Sequence, residues 1–189
     1  MTSKQLQARA RKIRLLLMDV DGVLTDGKIY YLPRPGGGFF ETKAFHCRDG
    51  LGIRIAHRAG LKTGIISGRS SPALEYRVKE LGIHFLQQGA LEKLEPYQTI
   101  LRAARLKDEE VCYVGDDIVD LPLFTRVGLA VAVADGDESL ARHVHYVTKA
   151  PGGAGAVRET VELILSAQGK WKGVLEHFLK GRLPPPAAC

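Results

Sequence analysis

The chain has 189 residues, 45% of them hydrophobic and 25% charged, and it carries a formal net charge of +6. This composition is typical of one globular domain, and no apolar run approaches the roughly 20 residues that a membrane helix needs. Three widely spaced cysteines (Cys47, Cys112 and Cys189) favour neither a disulfide framework nor a zinc site, so we expect a cytoplasmic protein without a membrane partner. The dispersed basic residues, without interleaved aromatics, favour an anionic small molecule over nucleic acid.

The N-terminal region contains a basic segment followed by an apolar one. Residues 1–12 are predicted to be a leader, because RARKIR (Arg9–Arg14) has the composition of a solvated segment. The following run, LLLMDVDGVLTDG, predicts a strand buried on both faces of a parallel sheet. Asp19 and Asp21 follow at its carboxyl end, where open α/β sheets bind ligands. Such crowded carboxylates need a cation or a shared proton.

Short apolar runs then alternate with amphipathic stretches as far as residue 170. Strands are predicted at Ile13–Met18, Lys62–Ile66, His84–Leu86, Val111–Val114, Leu129–Val133 and His145–Val147. Helices are predicted at Leu51–Arg58, Pro72–Leu81, Pro96–Arg105, Ile118–Arg126 and Ala156–Ala167. This alternation predicts an α/β fold in which a doubly wound parallel sheet carries helices on both faces, with residues 13–170 as a single domain.

Two segments interrupt the alternation. Residues 28–45, KIYYLPRPGGGFFETKAF, place two β-prone arms around a Pro/Gly tip and predict a β-hairpin. Because the hairpin directly follows the acidic strand end, we expect it to be a flap over the site; a plain surface hairpin is the alternative. Residues 171–189 have a helical pattern followed by GRLPPPAAC, which predicts a C-terminal helix and a mobile tail.

Further polar motifs lie at strand ends and helix starts. IISGR places Ser67 and Gly68 after a strand, where a hydroxyl and free N–H groups form a phosphate cradle. Lys93 lies near a helix start, and VGDDIVD (114–120) ends another strand with acids that include Asp116. Each motif alone has a structural explanation, such as a helix cap. Their occurrence together at successive strand ends favours a site.

The chemistry of these residues is that of phosphoryl transfer. Carboxylate oxygens of Asp19 and Asp116 suit Mg²⁺. A phosphoryl group between this ion, Ser67 and Lys93 has its charge neutralised as it transfers. Asp19 can attack as the nucleophile, and Asp21 can protonate the leaving oxygen and later deprotonate a water molecule.

The order DxDG, SGR, Lys and GDD resembles the haloacid dehalogenase superfamily of aspartate-nucleophile phosphatases. From about Leu15 to Lys170 the chain is more specifically similar to the 3-deoxy-D-manno-octulosonate 8-phosphate (KDO 8-phosphate) phosphatases, through MDVDGVLTDG, FHCRDGLGIR, YVGDDIVDLP, VAVADG and GGAGAVRE. The resemblance implies magnesium-dependent hydrolysis of this sugar-acid phosphate, in the pathway to bacterial lipopolysaccharide.

The same resemblance implies roles for individual residues. Asp19 is then the nucleophile and a metal ligand, Asp21 the acid/base and a ligand through its backbone carbonyl, and Asp116 the third protein ligand. Ser67, Lys93 and Asp21 contact the phosphoryl group. The remaining substrate-binding residues are Arg48, Asp49, Gly50, Leu51, Gly52, Gly68, Arg69 and Arg77. Arginine suits carboxylate and phosphate through its planar fork, although a solvated helix surface is an alternative for Arg77.

The spacing of the motifs leaves no room for a cap domain. The 39 residues between Gly27 and Ser67 hold the hairpin, one helix and one strand, and the 22 between Lys93 and Asp116 hold one helix and one strand. A cap domain needs about 50 residues or more. The site would therefore be open in a monomer, and the resemblance implies a homotetramer in which hairpins form a central barrel and neighbouring subunits help to close each site.

Other functions remain open at this point. A phosphatase for a nine-carbon sugar-acid 9-phosphate would share the fold and nearly the same pocket. A haloacid dehalogenase needs neither Asp21 nor the GDD acids. A receiver-like signalling domain also gathers acids, a hydroxyl and a lysine around Mg²⁺, but places its phosphorylated aspartate on a middle strand. A catalytically inactive assembly protein would not need every chemical position filled.

Overall fold

The protein is described here by a computed structural model that covers residues 2–183; the end of the predicted mobile tail, 184–189, lies outside the described residues. The strands are β1 (Leu15–Met18), β2 (Tyr30–Pro33), β3 (Phe39–Thr42), β4 (Lys62–Ile66), β5 (Phe85–Gln87), β6 (Val111–Gly115), β7 (Leu129–Ala132) and β8 (Tyr146–Val147). The α-helices are α1 (Ser3–Arg11), α2 (Cys47–Arg58), α3 (Pro72–Leu81), α4 (Leu94–Ala104), α5 (Leu121–Phe124), α6 (Ala156–Ala167) and α7 (Trp171–Leu179).

The central sheet has six parallel strands in the order β5-β4-β1-β6-β7-β8. Strand β1 is fully buried and pairs with β4 on one side and β6 on the other, with Met18 opposite Ile65 and Val114. The carboxyl ends of these three strands therefore meet at one edge, at the point where the strand order reverses. The predicted doubly wound parallel sheet is confirmed.

Alternate residues of β1 contribute to cores on opposite faces of the sheet, as the period of a strand requires. Leu16 and Met18 belong to one core, which includes apolar side chains of α2 and α6. Leu15 and Leu17 belong to the other, together with Tyr97 and Tyr113. Because both faces are covered, β1 can be apolar throughout, and it is rigidly held where its acidic end begins.

Two helices differ substantially from the predictions, whereas the bounds of α4 are shifted by only one or two residues. Helix α2 begins at Cys47 rather than Leu51, because the side chain of His46 accepts a hydrogen bond from the Arg48 N–H (3.3 Å) and caps the helix four residues earlier. The single helix predicted at Ile118–Arg126 is instead a 3₁₀ turn, Ile118–Asp120, followed by the short α5, which has a proline in its first turn. Proline is favoured there because its missing N–H is not needed.

The N-terminal basic segment is not the solvated leader that its composition predicts. Residues 3–11 form α1, which packs against α6 through the buried Ala10. Arg9 donates a hydrogen bond to the carbonyl of Gly128 (2.8 Å), and Arg11 donates to that of Ala167 (3.1 Å). The arginines therefore fix the helix to the domain, a role that net charge alone does not reveal.

The hairpin is present where it is predicted. Strands β2 and β3 pair antiparallel, with Tyr30 opposite Thr42 and Pro33 opposite Phe39. Three successive glycines with positive φ form the tip: Gly36, Gly37 and Gly38. The hairpin exposes six large apolar side chains: Ile29, Tyr30, Tyr31, Leu32, Phe39 and Phe40. Within residues 2–183, no helix has the length and apolar character needed to cross a bilayer.

Candidate active site

A cavity of about 240 Å³ lies at the carboxyl ends of β1, β4 and β6. The residues that line it are Asp19, Asp21, Gly27, Ser67, Gly68, Arg69, Leu91, Lys93, Asp116, Asp117 and Val119. The structure thus brings together seven predicted site residues that are widely separated in sequence: Asp19, Asp21, Ser67, Gly68, Arg69, Lys93 and Asp116. Their meeting follows from the register of the parallel strands rather than from any local contact.

Asp19 is held at the floor of this cavity and is only 7% exposed. Its Oδ1 accepts a hydrogen bond from the Val20 N–H (2.6 Å), and its Oδ2 accepts one from the Lys93 ammonium (2.6 Å). Burial raises the pKa of Asp19 to about 6, even though Lys93 acts in the opposite direction. The carboxylate is therefore oriented by two donors but is not fully compensated in charge.

Asp116 adds to this excess of negative charge. Burial, and then the nearby Asp19, raise the pKa of Asp116 to about 7. Carboxylate oxygens of Asp19, Asp116 and Asp120 lie within 4.8 Å of one another. Three crowded carboxylates beside a single lysine favour a bound cation, and hard oxygen donors of this kind are what Mg²⁺ prefers. The donor set therefore fits a magnesium ion.

Gly22 lets the loop after β1 approach Asp116 closely. A Cβ at this position would lie 2.0 Å from Asp116 Oδ2, and the backbone φ of +83° is one that side chains rarely adopt. Both constraints require glycine in the motif DVDG. The glycine thus sets the distance between the two acidic loops that form the proposed cation site.

Lys93 connects the acids to the sheet. It is 2% exposed, and its Nζ donates to Asp19 Oδ2 and Asp120 Oδ1 (2.6 Å each) and to the Tyr113 hydroxyl (3.1 Å). Burial opposes the charge of Lys93, but the two carboxylates outweigh it and raise its pKa. Lys93 therefore remains an ammonium at the floor of the cavity, where a transferring phosphoryl group would need positive charge.

No role for Asp120 is predicted from the sequence. It is completely buried; its Oδ1 accepts from Lys93 and from the Tyr113 hydroxyl (2.6 Å), and its Oδ2 accepts from the Asp116 N–H (3.0 Å). Because both oxygens already have partners, Asp120 anchors Lys93 and the loop of Asp116. Asp120 is the last acid of the motif VGDDIVD, and the motif alone does not distinguish its role from those of Asp116 and Asp117.

The SGR loop presents Ser67 to the same cavity. Ser67 is 1% exposed, and its backbone N–H donates to the Gln87 carbonyl (2.9 Å) while its carbonyl accepts from the Ala90 N–H (3.0 Å). Its Oγ accepts from the Arg69 N–H (3.3 Å). The hydroxyl proton therefore remains available for an oxygen of a phosphoryl group.

The hairpin reaches this site through two charged side chains. Lys43, just after β3, forms an ion pair with Oδ1 of Asp21, and its Nζ lies 3.3 Å from Glu41 Oε1. Glu41 Oε2 accepts a hydrogen bond from Arg69 Nη2 (2.5 Å). The base of the hairpin therefore contacts both the loop after β1 and the loop after β4.

Known proteins are similar to this chain over most of its length. Residues 51–128 match the model of the haloacid dehalogenase-like hydrolase family. A 3-deoxy-D-manno-octulosonate 8-phosphate phosphatase of Yersinia pestis is 47% identical over 165 residues, which cover 87% of this chain and 86% of the relative. The chain belongs to this phosphatase family. The Escherichia coli K12 member is 46% identical over 168 residues, which cover 89% of this chain and 87% of that relative.

Solved structures of family members have the same fold. The crystal structure of the Yersinia pestis phosphatase has a TM-score of 0.85 at 45% identity and covers 91% of each chain. The Moraxella catarrhalis phosphatase, solved in complex with a magnesium ion, a phosphate ion and KDO, has a TM-score of 0.87 at 37% identity. That match covers 94% of this chain and 99% of that one.

The RDGLG stretch is not among the residues that line this cavity within the single chain. Asp49 is 1% exposed, and its carboxylate accepts from the Gly155 N–H (3.1 Å) and the Arg158 N–H (2.8 Å) at the start of α6. Burial raises the pKa of Asp49, although these N–H donors favour its charged form. The carboxylate therefore caps a helix, and its predicted contact with the substrate stays a prediction.

The neighbours of Asp49 also have structural surroundings. Gly50 and Gly52 allow close packing, since a Cβ would lie 2.4 Å from the Arg77 guanidinium in the first case and 3.0 Å from Arg158 in the second. Arg48 lines a different cavity, together with Arg158, and Leu51 is exposed.

Arg77 is similarly placed away from the Asp19 cavity. Its guanidinium donates to Glu80 Oε2 (2.7 Å) and lies over the Phe45 ring, 5.6 Å from the centroid. Within one chain, Arg48 and Arg77 are therefore not brought to Asp19, and Arg69 is the predicted sugar-acid arginine that is.

Proposed function

We propose that the protein hydrolyses KDO 8-phosphate to KDO and inorganic phosphate, through a phosphoryl group carried on Asp19, in the pathway to bacterial lipopolysaccharide. The observation that carries this proposal is the pairing of Asp19 and Asp21 at the end of β1, in one cavity with Ser67 and Lys93. The names of the 46–47% identical relatives support the choice of substrate.

The residues that would hold Mg²⁺ are Asp19, Asp116 and the backbone carbonyl of Asp21. Bound there, the ion would screen the charge of the substrate phosphate and polarise its P–O bonds. Asp120 is left out of the ligand set because it is completely buried and, unlike Asp19 and Asp116, does not line the cavity. Its part is to keep Lys93 and the loop of Asp116 in position.

The first half of the reaction forms the phosphoenzyme. Lys93 and the Val20 N–H orient the Asp19 carboxylate for in-line attack on phosphorus. A bond forms between the Asp19 oxygen and phosphorus as the ester bond to the sugar oxygen breaks. The electron pair of that bond stays on the sugar oxygen, which takes a proton from Asp21. The hydroxyl of Ser67 and the ammonium of Lys93 stabilise the phosphoryl oxygens.

The second half regenerates the enzyme. Asp21 is now a carboxylate and removes a proton from a water molecule as the water attacks phosphorus. The bond between phosphorus and Asp19 breaks, inorganic phosphate leaves, and Asp19 is a carboxylate again. One residue serves as acid and then as base, so the site needs no other proton donor. We assign the carboxylate of the sugar acid to Arg69, which lines the cavity and whose planar guanidinium suits a carboxylate.

We place the protein in a homotetramer built through its hairpins. The tip strands expose Tyr31 (60%) and Phe39 (66%), which a partner chain would cover. Sedimentation velocity should give a tetramer for the wild-type chain and smaller species for a Tyr31→Lys/Phe39→Lys variant. A monomeric wild type would contradict this assembly.

A reducing cytoplasm suits the free thiols of Cys47 and Cys112.

Phosphate release tests the proposed activity directly. KDO 8-phosphate and a nine-carbon sugar-acid 9-phosphate would be compared, each with Mg²⁺ and with EDTA. We expect turnover of KDO 8-phosphate that requires Mg²⁺ and is lost in Asp19→Asn. Preference for the nine-carbon ester would keep the mechanism and contradict the substrate. Turnover that persists in EDTA or in Asp19→Asn would contradict the mechanism.

A further inference from the structure

We infer that Lys43, on the hairpin, is a positioning residue that holds the Asp21 carboxylate for proton transfer to the leaving oxygen; this inference rests on the proposed function. Lys43 directly follows β3, in the segment that is predicted to be a flap. Its contact with Asp21 joins the hairpin to the acid that the reaction needs.

The burial of Lys43 requires a reason. Its side chain is only 2% exposed, although a lysine ammonium is strongly hydrated when free. Removing this charge from water is costly unless carboxylates replace the lost hydration. The carboxylates of Asp21 and Glu41 supply that compensation. A buried lysine shared by two carboxylates is fixed in position, unlike a solvated one.

The contact with Asp21 is selective for one oxygen. Lys43 forms its ion pair with Oδ1, which leaves Oδ2 available to the substrate. Asp21 is more accessible than Asp19, with 22% of its side chain exposed, so its own loop does not confine the carboxylate. Lys43 therefore restricts the rotation of Asp21 and directs the second oxygen. Proton transfer depends on such placement, because the acid must lie within hydrogen-bond reach of the leaving oxygen.

Glu41 is the second carboxylate that holds Lys43. Its Oε1 lies 3.3 Å from the Lys43 ammonium, and its Oε2 accepts the hydrogen bond from Arg69. The hydrogen bond from Arg69, and then the nearby Lys43 ammonium, lower the pKa of Glu41 and favour its charged form. A row of alternating charges (Asp21, Lys43, Glu41 and Arg69) thus links the loops after β1 and β4 through the base of the hairpin.

Alkyl and aryl phosphate esters differ in how strongly their hydrolysis depends on the acid Asp21. The sugar oxygen of an alkyl ester is a poor leaving group and must be protonated as the ester bond breaks. A nitrophenolate leaves as a stable anion and needs little protonation. A residue that only positions the acid should therefore matter for the alkyl ester and hardly for the aryl ester. A residue that only supports the fold should affect both esters equally.

The test compares kcat for KDO 8-phosphate and for p-nitrophenyl phosphate in Lys43→Met and Lys43→Arg. Lys28→Met is the matched control, since Lys28 lies on the same hairpin but is 71% exposed and pairs with Asp26. For Lys43→Met we expect about a 100-fold loss with the sugar ester and less than about 5-fold with the aryl ester. Lys43→Arg should recover most of the loss, because its guanidinium can still bridge two carboxylates.

The ratio of the two rates does not depend on the folded fraction, so partial unfolding of Lys43→Met does not obscure the result. Equal losses with both esters would overturn the positioning role, and so would unchanged rates with both. The wild-type rates separate this failure from that of the proposed function. A wild type that hydrolyses neither ester would overturn the proposed function and this inference with it.

Discussion

Replacing Asp120 with asparagine tests whether one buried carboxylate organises the floor of the site. Oδ1 of Asp120 accepts hydrogen bonds from Lys93 and Tyr113, and Oδ2 accepts one from the Asp116 N–H. An asparagine amide has one oxygen and one NH₂ group. Either Lys93 and Tyr113, or the Asp116 N–H, would then face the NH₂ group and lose their acceptor. The loop also has little room to adjust, because a Cβ on Gly115 would lie 2.2 Å from Asp120 Oδ2.

The expected magnitude follows from these contacts. A hydrogen bond to a charged group contributes about 1.5–3 kcal/mol, and Lys93 keeps Asp19 as a second partner. We therefore expect the free energy of unfolding to fall by about 2–3 kcal/mol. Activity should fall by about tenfold or more, since 1.4 kcal/mol of lost transition-state stabilisation already corresponds to a factor of ten.

Urea unfolding at neutral pH and the rate of phosphate release would measure both effects. Asp137→Asn is the control, because Asp137 is an exposed cap whose side chain accepts from the Ser139 N–H, and asparagine caps equally well. A loss of stability in Asp120→Asn no larger than in this control would refute the assignment of Asp120 as the anchor of Lys93.

Three further predictions concern other parts of the chain. Gly22→Ala should weaken the activation by Mg²⁺ about 10–100-fold, because the added methyl group displaces Asp116. Gly36→Ala is the control: it has the same kind of backbone strain (φ +90°), but its methyl group meets no neighbour within 4 Å, so Mg²⁺ activation should not change. Equal effects of the two variants would refute this role of Gly22. Asp49→Ala should lower the free energy of unfolding by about 1–3 kcal/mol, because it leaves two buried N–H groups unpaired. The KM should remain unchanged if the carboxylate only caps the helix. A raised KM with normal stability would instead support a role of Asp49 in substrate binding. Burial, and then His84, lower the pKa of His57 from 6.5 to about 4. The free energy of unfolding should therefore decrease as the pH is lowered from 6.5 to about 4, because the unfolded chain takes up a proton that the folded chain does not. In urea titrations His57→Gln should reduce this pH dependence, and a slope that His57→Gln leaves unchanged would contradict the assignment.

The elements whose limits are encoded locally could be predicted from the sequence. Helix α3 has its predicted bounds because Pro72 occupies the first turn and Gly82 ends the helix in the left-handed conformation. Strand β4 likewise has its predicted bounds, Lys62–Ile66. The gathering of Asp19, Ser67 and Asp116 also followed from the sequence, since each ends a strand and parallel strands align their carboxyl ends.

The features that the sequence did not predict depend on contacts between distant residues. Asp49 caps α6 across 106 positions of the chain, and nothing in RDGLG distinguishes a capping carboxylate from one that binds a ligand. Lys43 reads as an ordinary polar residue of a hairpin until the fold buries it beside Asp21. The docking of α1 depends on carbonyl groups that only the folded chain presents to Arg9 and Arg11. Such pairings need the tertiary structure.

In the proposed mechanism Asp19 carries the phosphoryl group, and Asp21 donates and then removes the proton. A single turnover of KDO 8-phosphate with excess enzyme and Mg²⁺, quenched with acid within the first turnover, would test it most directly. Mass spectrometry of the peptide that contains both residues should find the phosphoryl group on Asp19, and Asp21→Asn should slow its hydrolysis. Release of phosphate at the full rate with no modified Asp19, or a phosphoryl group on another residue, would contradict the account.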